Sequence, residues 1–340
     1  MAMAGTVFVS GGSGYIAGFL IRQLIAEGWM VHTSIRNLAK EAEVRSHLGV
    51  DGTKLRFFAA DLMSDAGWAE AMAGCSHVAH VASPLPADAP KHEDELIVPA
   101  RDGALRALKA AKAAGIQRFV MTSSMAAVAY GHGGAKERFT EADWTDPASK
   151  DAYPYVKSKT IAERAARDWV AENGGDMEFC TVNPVLVLGP LQSGDFSTSL
   201  EAIKKLLEGS LPGLPNFGFG VVDVRDVADM HVRCLNAPNM AGERFLCSGP
   251  FLWMREIAEI LRVGLGDSAR KVPRRGLPDW LVKVSAWFDP VIRQVVGELG
   301  HVRDADTSHA QTVLGWHARP AKDSILDTAR DMIRLGIVKV

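Results

Sequence analysis

Short runs of consecutive apolar residues alternate along the first half of the chain with longer stretches whose apolar positions recur every three or four residues. The runs "TVFVS" (6–10), "MVHTSI" (30–35), "LRFFAA" (55–60), "HVAHVAS" (77–83), "RFVMTSS" (118–124) and "EFCTVNPVLVLG" (178–189) read as strands covered on both faces. Between them lie amphipathic stretches such as "YIAGFLIRQLIAEG" and an alanine-rich one ending near "KAAKAAG". Strand–helix alternation of this kind predicts an α/β fold with a doubly wound parallel sheet. After Gly189 the pattern loosens into turn-rich segments around "LEAIKKLLEG", one or two further strand–helix units at "VVDVRDVADMHVRCLN" and "ERFLCSGPFLWMREIAEIL", and a mostly helical end. The expectation is a dinucleotide-binding domain over 1–189 and a smaller, mostly helical substrate-binding part over 190–340, with 221–250 returning to the main sheet.

Bulk properties narrow the class. Of the 340 residues, 47% are hydrophobic and 23% charged, and the formal net charge of -2 gives no reason to expect nucleic acid or an anionic membrane as partner. No apolar run is long enough to span a bilayer. Cys75, Cys180, Cys234 and Cys247 are scattered without a Cys-x-x-Cys pair, which suits free thiols in a reducing compartment rather than a disulfide framework or zinc site. The opening "MAMAGTVFVSGG" lacks a basic region and cleavage site, so the protein is expected to be cytoplasmic.

Three segments carry chemistry. The turn "VSGGSGYIAG" sets Gly11, Gly12, Gly14 and Ala17 between the first strand and first helix. Glycine there permits a tight turn and close approach of a pyrophosphate to the N–H groups of the helix start. At the end of the second strand, "SIRNLAK" has Arg36 where an NAD site would carry an acid, and Lys40 one turn later; a guanidinium pairs with the 2′-phosphate of NADP(H) that a carboxylate would repel. Asp61, closing the third strand, suits either an acceptor for the adenine amino group or a helix N-cap.

The third segment, "DAYPYVKSKTIAE", holds two overlapping Tyr-x-x-x-Lys spacings, Tyr153 with Lys157 and Tyr155 with Lys159. On a helix, Lys159, Ala162, Ala166, Trp169 and Val170 fall on the side of Tyr155, whereas Lys157, Thr160, Arg164 and Arg167 fall opposite. The small apolar stripe faces the sheet, so Tyr155 and Lys159 are expected to face the site and the other pair to face water. Pro154 supports this choice, because it suits the first helical position and leaves Tyr153 outside the helix. Thr122, Ser123 and Ser124 then stand at a strand's carboxyl end, where such sheets hold ligands. Candidate substrate walls are 83–94, 125–130, and 191–203 with Phe196 and Leu200.

With "AADL", "HVAHVASP", "NPVLVLGP", "VDVRDVADMHV" and the late "LGW…RP" added, the chain resembles the extended short-chain dehydrogenase/reductase superfamily, which has a Rossmann-type fold. Within it the closest look is to the dihydroflavonol reductase and cinnamoyl-CoA reductase-like branch of ketone and aldehyde reductases. The resemblance implies Tyr155, Lys159 and Ser124 as catalytic residues. It implies coenzyme contacts from Gly11, Gly14, Tyr15 and Ile16, from Arg36 and Lys40 at the NADP phosphate, and from Asp61 and Leu62 at the adenine. Ala82, Ser83, Pro184 and Val187 would lie beside the nicotinamide. The chain departs from the branch at Ala17, where glycine is common, and at Met125, where a smaller residue is usual and the pocket could be reshaped. The implied reaction is hydride transfer between NADP(H) and a small, largely apolar carbonyl or alcohol, by a monomer or homodimer. Two other readings stay open: a nucleotide-sugar epimerase or dehydratase with tightly bound NAD, and a non-catalytic NADP-binding sensor.

Overall fold

The computed structural model describes residues 5–50, 52–84, 90, 92–134, 136–192, 200–287 and 296–339. Its centre is a seven-stranded sheet in which every neighbouring pair is parallel. The strands are β1 (Thr6–Val9), β2 (Met30–Ile35), β3 (Leu55–Ala59), β4 (His77–His80), β5 (Arg118–Thr122), β6 (Glu178–Pro184) and, later in the chain, Arg244–Cys247. In space, Arg244–Cys247 lies on one edge, followed by β6, β5, β4, β1, β2 and β3. Strand order therefore reverses between β1 and β4, which opens a crevice at their carboxyl ends.

Side chains alternate along these strands as a sheet covered on both faces requires. In β1, Val7 and Val9 enter the apolar layer under helix α1 (Tyr15–Ala26), while Phe8 enters the opposite layer with Trp68, Phe119 and Phe179. That opposite layer is roofed by α2 (Asp94–Ala113) and α3 (Pro154–Asn173), through Ala104, Leu108, Ala162 and Ala166. Residues Val224–Asn236 form a helix beside α1 in the first layer, joined there by Leu314 and Trp316, although all of these lie beyond Gly189.

A second apolar cluster lies past β6. It gathers Leu188, Leu206, Val221, Ile257 and Ile325 from a three-stranded sheet (Leu186–Leu188, Gly218–Asp223, Phe251–Trp253) and the helices Glu201–Glu208, Met254–Leu265 and Ala321–Arg334. Among the described residues, no helix is long and apolar enough to cross a membrane.

Two strands differ from the sequence reading. The run 178–189 divides at Val185: up to Pro184 it pairs within the main sheet, and from Leu186 it pairs with Gly218–Asp223 in the smaller one. The run 77–83 stops pairing at His80, because the next two amides, of Val81 and Ala82, donate to the Ser10 hydroxyl instead of to a neighbouring strand. Both departures occur at the carboxyl edge, where the chain leaves the sheet to build a site.

Candidate active site

The glycine turn is shaped by what surrounds it. Gly11 has φ +73°, and a Cβ there would stand 3.0 Å from that of Ala82. Gly12 is tighter still: a Cβ would sit 2.3 Å from Thr33 Oγ1 and 2.9 Å from its Cγ2. Thr33 is buried and its hydroxyl donates to Val9 O at 2.8 Å, so it has no room to retreat. Gly14 is the N-cap of α1, whose first amides are left open to a ligand. We expect Gly12→Ala to cost about 1–3 kcal/mol through this overlap and to weaken NADPH affinity about tenfold. Thermal melting and fluorescence titration measure the two effects; an unchanged melting point would contradict the packing argument.

A cavity of about 450 Å³ opens beside this turn, lined by Gly12, Ser13, Gly14 and Tyr15 from one side and by Arg36, Asn37, Lys40 and His47 from the other. Arg36 follows β2 directly. Asn37 Oδ1 accepts from Ala39 N at 2.9 Å and caps the single turn that carries Lys40. Two cations thus share a cavity with the glycine turn and the open amides of the helix start, so these residues fit a dinucleotide bearing a 2′-phosphate.

Other sequence-predicted contacts fall differently. Asp61 Oδ1 accepts from Met63 N at 2.8 Å, closing a local turn, whereas the next helix, Trp68–Met72, is capped at Gly67; Leu62 packs over Gly103 of α2, and neither Asp61 nor Leu62 lines this cavity. Ile16 packs on the main core, and the Tyr15 hydroxyl is buried with no hydrogen-bond partner among the described residues. Pro184 ends β6, while the Val187 side chain is buried in the core, so only its backbone remains for a ligand.

At the carboxyl end of β5 three consecutive hydroxyls take three separate partners. Thr122 Oγ1 meets His231 Nε2 at 2.7 Å; His231 Nδ1 faces Val227 O at 2.8 Å, so the proton sits on Nδ1 and Nε2 accepts. Ser123 donates to Glu163. Ser124 remains: its hydroxyl accepts from Ala126 N at 3.1 Å, capping a short turn, and it is the side chain that lowers the pKa of the neighbouring Tyr155 phenol. The sequence left all three hydroxyls open, and the neighbours single out the last.

Lys159 Nζ donates to Ser83 Oγ at 2.8 Å and stands 5.7 Å from the centre of the Tyr155 ring. Burial pulls its pKa down to about 8, with Glu163 opposing. Burial pushes the Tyr155 phenol up, partly countered by the Ser124 side chain. The amine stands over the ring, so burial is the larger influence on the phenol.

Tyr153 does not face water. It is the N-cap of α3 with ψ 166°, so the helical angles used to place it do not apply. Its ring stacks beside Tyr155 at 6.4 Å and meets Tyr130 edge-on at 5.9 Å. Nor is the far side of the helix solvated throughout. Lys157 reaches Glu93 at the surface, but Thr160 is buried and Arg167 points inward to Glu163. The segment after Ser124 folds back over that side, where Arg164 donates to Thr145 O.

The sequence reading missed Ser10. Its hydroxyl is 3.1 Å from His80 Nδ1 and accepts from both Val81 N and Ala82 N at 2.9 Å, which fixes the backbone leading to Ser83. Burial, helped by Lys159, drives the His80 pKa down to about 3, so the imidazole stays neutral.

The expected substrate walls also divide. Met125, Val128 and Ala129 are buried against Phe139, Leu246 and Ala305, so Met125 fills a core cluster instead of narrowing a pocket. Leu200 is likewise buried in the second cluster, whereas Phe196 and much of 83–94 lie outside the described residues.

A parallel sheet with a glycine turn at its switch point and a Ser/Tyr/Lys group beside it defines a nucleotide-dependent oxidoreductase architecture. Residues 7–247 match the model of the NAD dependent epimerase/dehydratase family. The chain belongs to this family and is an oxidoreductase of the extended short-chain dehydrogenase/reductase type. It is 37% identical to a cinnamoyl-CoA reductase, CAD2, of Medicago truncatula over 72% of this chain and 76% of that one. It is 31% identical to vestitone reductase of Medicago sativa over 84% and 92%. Among solved structures, yeast methylglyoxal/isovaleraldehyde reductase Gre2 complexed with NADPH superposes with a TM-score of 0.82 at 26% identity, covering 97% of this chain and 99% of that one.

Proposed function

We propose that the protein is an NADPH-dependent reductase of a small, largely apolar ketone or aldehyde, with Tyr155 as general acid, Ser124 polarising the carbonyl and Lys159 as electrostatic support. The observation that carries this reading is the meeting of Ser124, Tyr155 and Lys159 at the carboxyl edge of the sheet, beside the glycine turn. The coenzyme is NADP(H), held by the Gly11–Gly14 cradle and by Arg36 and Lys40. When bound, it supplies the hydride.

The protein's own part is to manage the oxygen. As the carbonyl carbon is reduced, negative charge collects on its oxygen, and two hydroxyls, of Ser124 and Tyr155, are oriented to donate to it. A phenol whose pKa burial has raised is fully protonated at neutral pH, as a proton donor must be. Lys159, tied to Ser83, places an ammonium against the ring and favours the phenolate left behind. Since burial brings that ammonium to about 8, kcat for reduction is expected to be level near neutrality and to fall above about pH 8. A profile that stays flat to pH 10 would contradict the role of Lys159.

The names of relatives, which include a cinnamoyl-CoA reductase, a vestitone reductase and a methylglyoxal/isovaleraldehyde reductase, favour carbonyl substrates. The deciding experiment follows NADPH and NADH oxidation at 340 nm against ketones, aldehydes and acyl-CoA thioesters. Turnover of at least one class with NADPH is expected. A blank across the whole panel would remove the proposal.

A further inference from the structure

Glu163 lies one turn beyond Lys159 on α3 and has no solvent exposure, yet no step above uses it. Its Oε1 accepts from Arg244 Nε at 2.7 Å, and from Arg167 Nε and Thr181 Oγ1 at 3.2 Å each. Its Oε2 accepts from Ser123 Oγ, from Asn183 Nδ2 at 2.8 Å and from Arg244 Nη2 at 3.3 Å. Several of these partners lead to the site: Ser123 precedes Ser124, Asn183 Nδ2 also donates to Ser124 O at 3.2 Å, and Arg244 holds the carbonyls of Ala127 and Glu141 at 3.1 and 3.0 Å.

We propose that Glu163 is a positioning residue of the reduction, fixing Ser124 through Ser123 and Asn183 while keeping Lys159 in its ammonium form. This rests on the functional reading above. Lys159 is buried, and its hydrogen-bonding neighbour, Ser83, is uncharged. Among the described residues, the ionisable groups that face it are Tyr155, protonated; His80, neutral; and Glu163, the one anion of the three. Burial alone would raise the Glu163 pKa, but Arg244 and then Arg167 hold it below the usual carboxylate value, so it is charged whenever the enzyme works. Arg167 and Arg244 in turn temper its pull on Lys159.

The two sides of this balance give opposite expectations. Glu163→Gln removes the anion and moves the alkaline limb of kcat to lower pH by about one unit, with kcat near pH 7 lower by about 30-fold and NADPH affinity within about threefold of the parent. Glu163→Asp, which keeps the charge, returns the limb toward the parent position even where the rate stays low. Arg167→Gln removes a competing cation from the helix surface, needs no buried charge to go unpaired, and moves the limb to higher pH. A uniform loss of kcat with the limb fixed in Glu163→Gln and in Arg167→Gln would reduce Glu163 to a structural residue and overturn the proposal. Should Glu163→Gln not fold, the upward shift in Arg167→Gln decides alone. Lys159→Met separates the two levels: if it keeps full turnover, the reading of Lys159 fails, not the network around Glu163.

Discussion

Replacing Tyr155 with phenylalanine is expected to lower kcat for carbonyl reduction by about 10³-fold while leaving NADPH affinity within about threefold. The substitution removes one oxygen and leaves the ring, so the packing around Ala126, Ala152 and Val156 and the stacking on Tyr153 persist. What disappears is the proton that must reach the nascent alkoxide, together with one of its two hydrogen-bond donors. Ser124 remains, but its hydroxyl is also the cap of the following turn and cannot supply a proton without replacing it. Coenzyme affinity depends on the glycine turn and on Arg36, on the other side of the switch point, and so should survive.

Tyr153→Phe provides the control. It removes the hydroxyl but preserves both ring contacts, and turnover should stay within about tenfold of the parent. Stopped-flow measurement of NADPH oxidation with saturating substrate reads the first step directly. Comparable losses in the two variants would mean that the tyrosine cluster acts as a packing unit and that no single phenol is the acid.

These expectations show where the sequence was legible. Strand and helix periods in the first half gave the sheet, because strands covered on both faces show themselves as unbroken apolar runs. The glycine turn could be read because it follows a strand and opens a helix, and Tyr155 could be chosen because Pro154 fixes where the helix begins. The failures have a common cause. Placing Tyr153, Thr160 and Arg167 on a watery face assumed that α3 touches protein on one side only, but the segment after Ser124 covers the other, with Arg244 reaching over from the sheet edge. The Arg244–Glu163 contact joins residues 81 positions apart, and no local period records it. The buried Glu163 and the Ser10–His80 clamp were hidden for the same reason: a lone carboxylate in "KTIAERAARD" looks like an ordinary surface charge until the partners arriving from Arg244, Asn183 and Ser123 are seen. Sequence spacing gives the presence of an ammonium near Tyr155 but not its direction; it stands over the ring, and burial is the larger influence on the phenol.

Reversing the charge at Arg36 should change which coenzyme the enzyme prefers. In Arg36→Asp the ratio of kcat/KM for NADPH to that for NADH is expected to fall by about 10²–10³-fold, mostly through a higher KM for NADPH. The guanidinium stands at the end of β2, in the same cavity as Gly12 and Gly14, where the adenosine ribose of a coenzyme on the glycine turn has to lie. A planar fork meeting phosphate oxygens gains two charge-assisted hydrogen bonds. An aspartate at the same place repels the phosphate but can accept from a bare 2′-hydroxyl, so NADH should lose nothing and gain modestly. Lys40 remains on its capped turn and limits the fall, which makes Arg36→Asp/Lys40→Ala the stronger variant. Salt provides an independent check, because Arg36 and Lys40 are both exposed. Raising ionic strength from 0.02 to 0.5 M shortens the screening length from roughly 20 to 4 Å and should erode the NADPH preference of the parent enzyme while leaving that of the aspartate variant nearly level. If the ratio in Arg36→Asp matched the parent at every salt concentration, the guanidinium would be an ordinary solvated charge and the phosphate would have to be read elsewhere in the cavity.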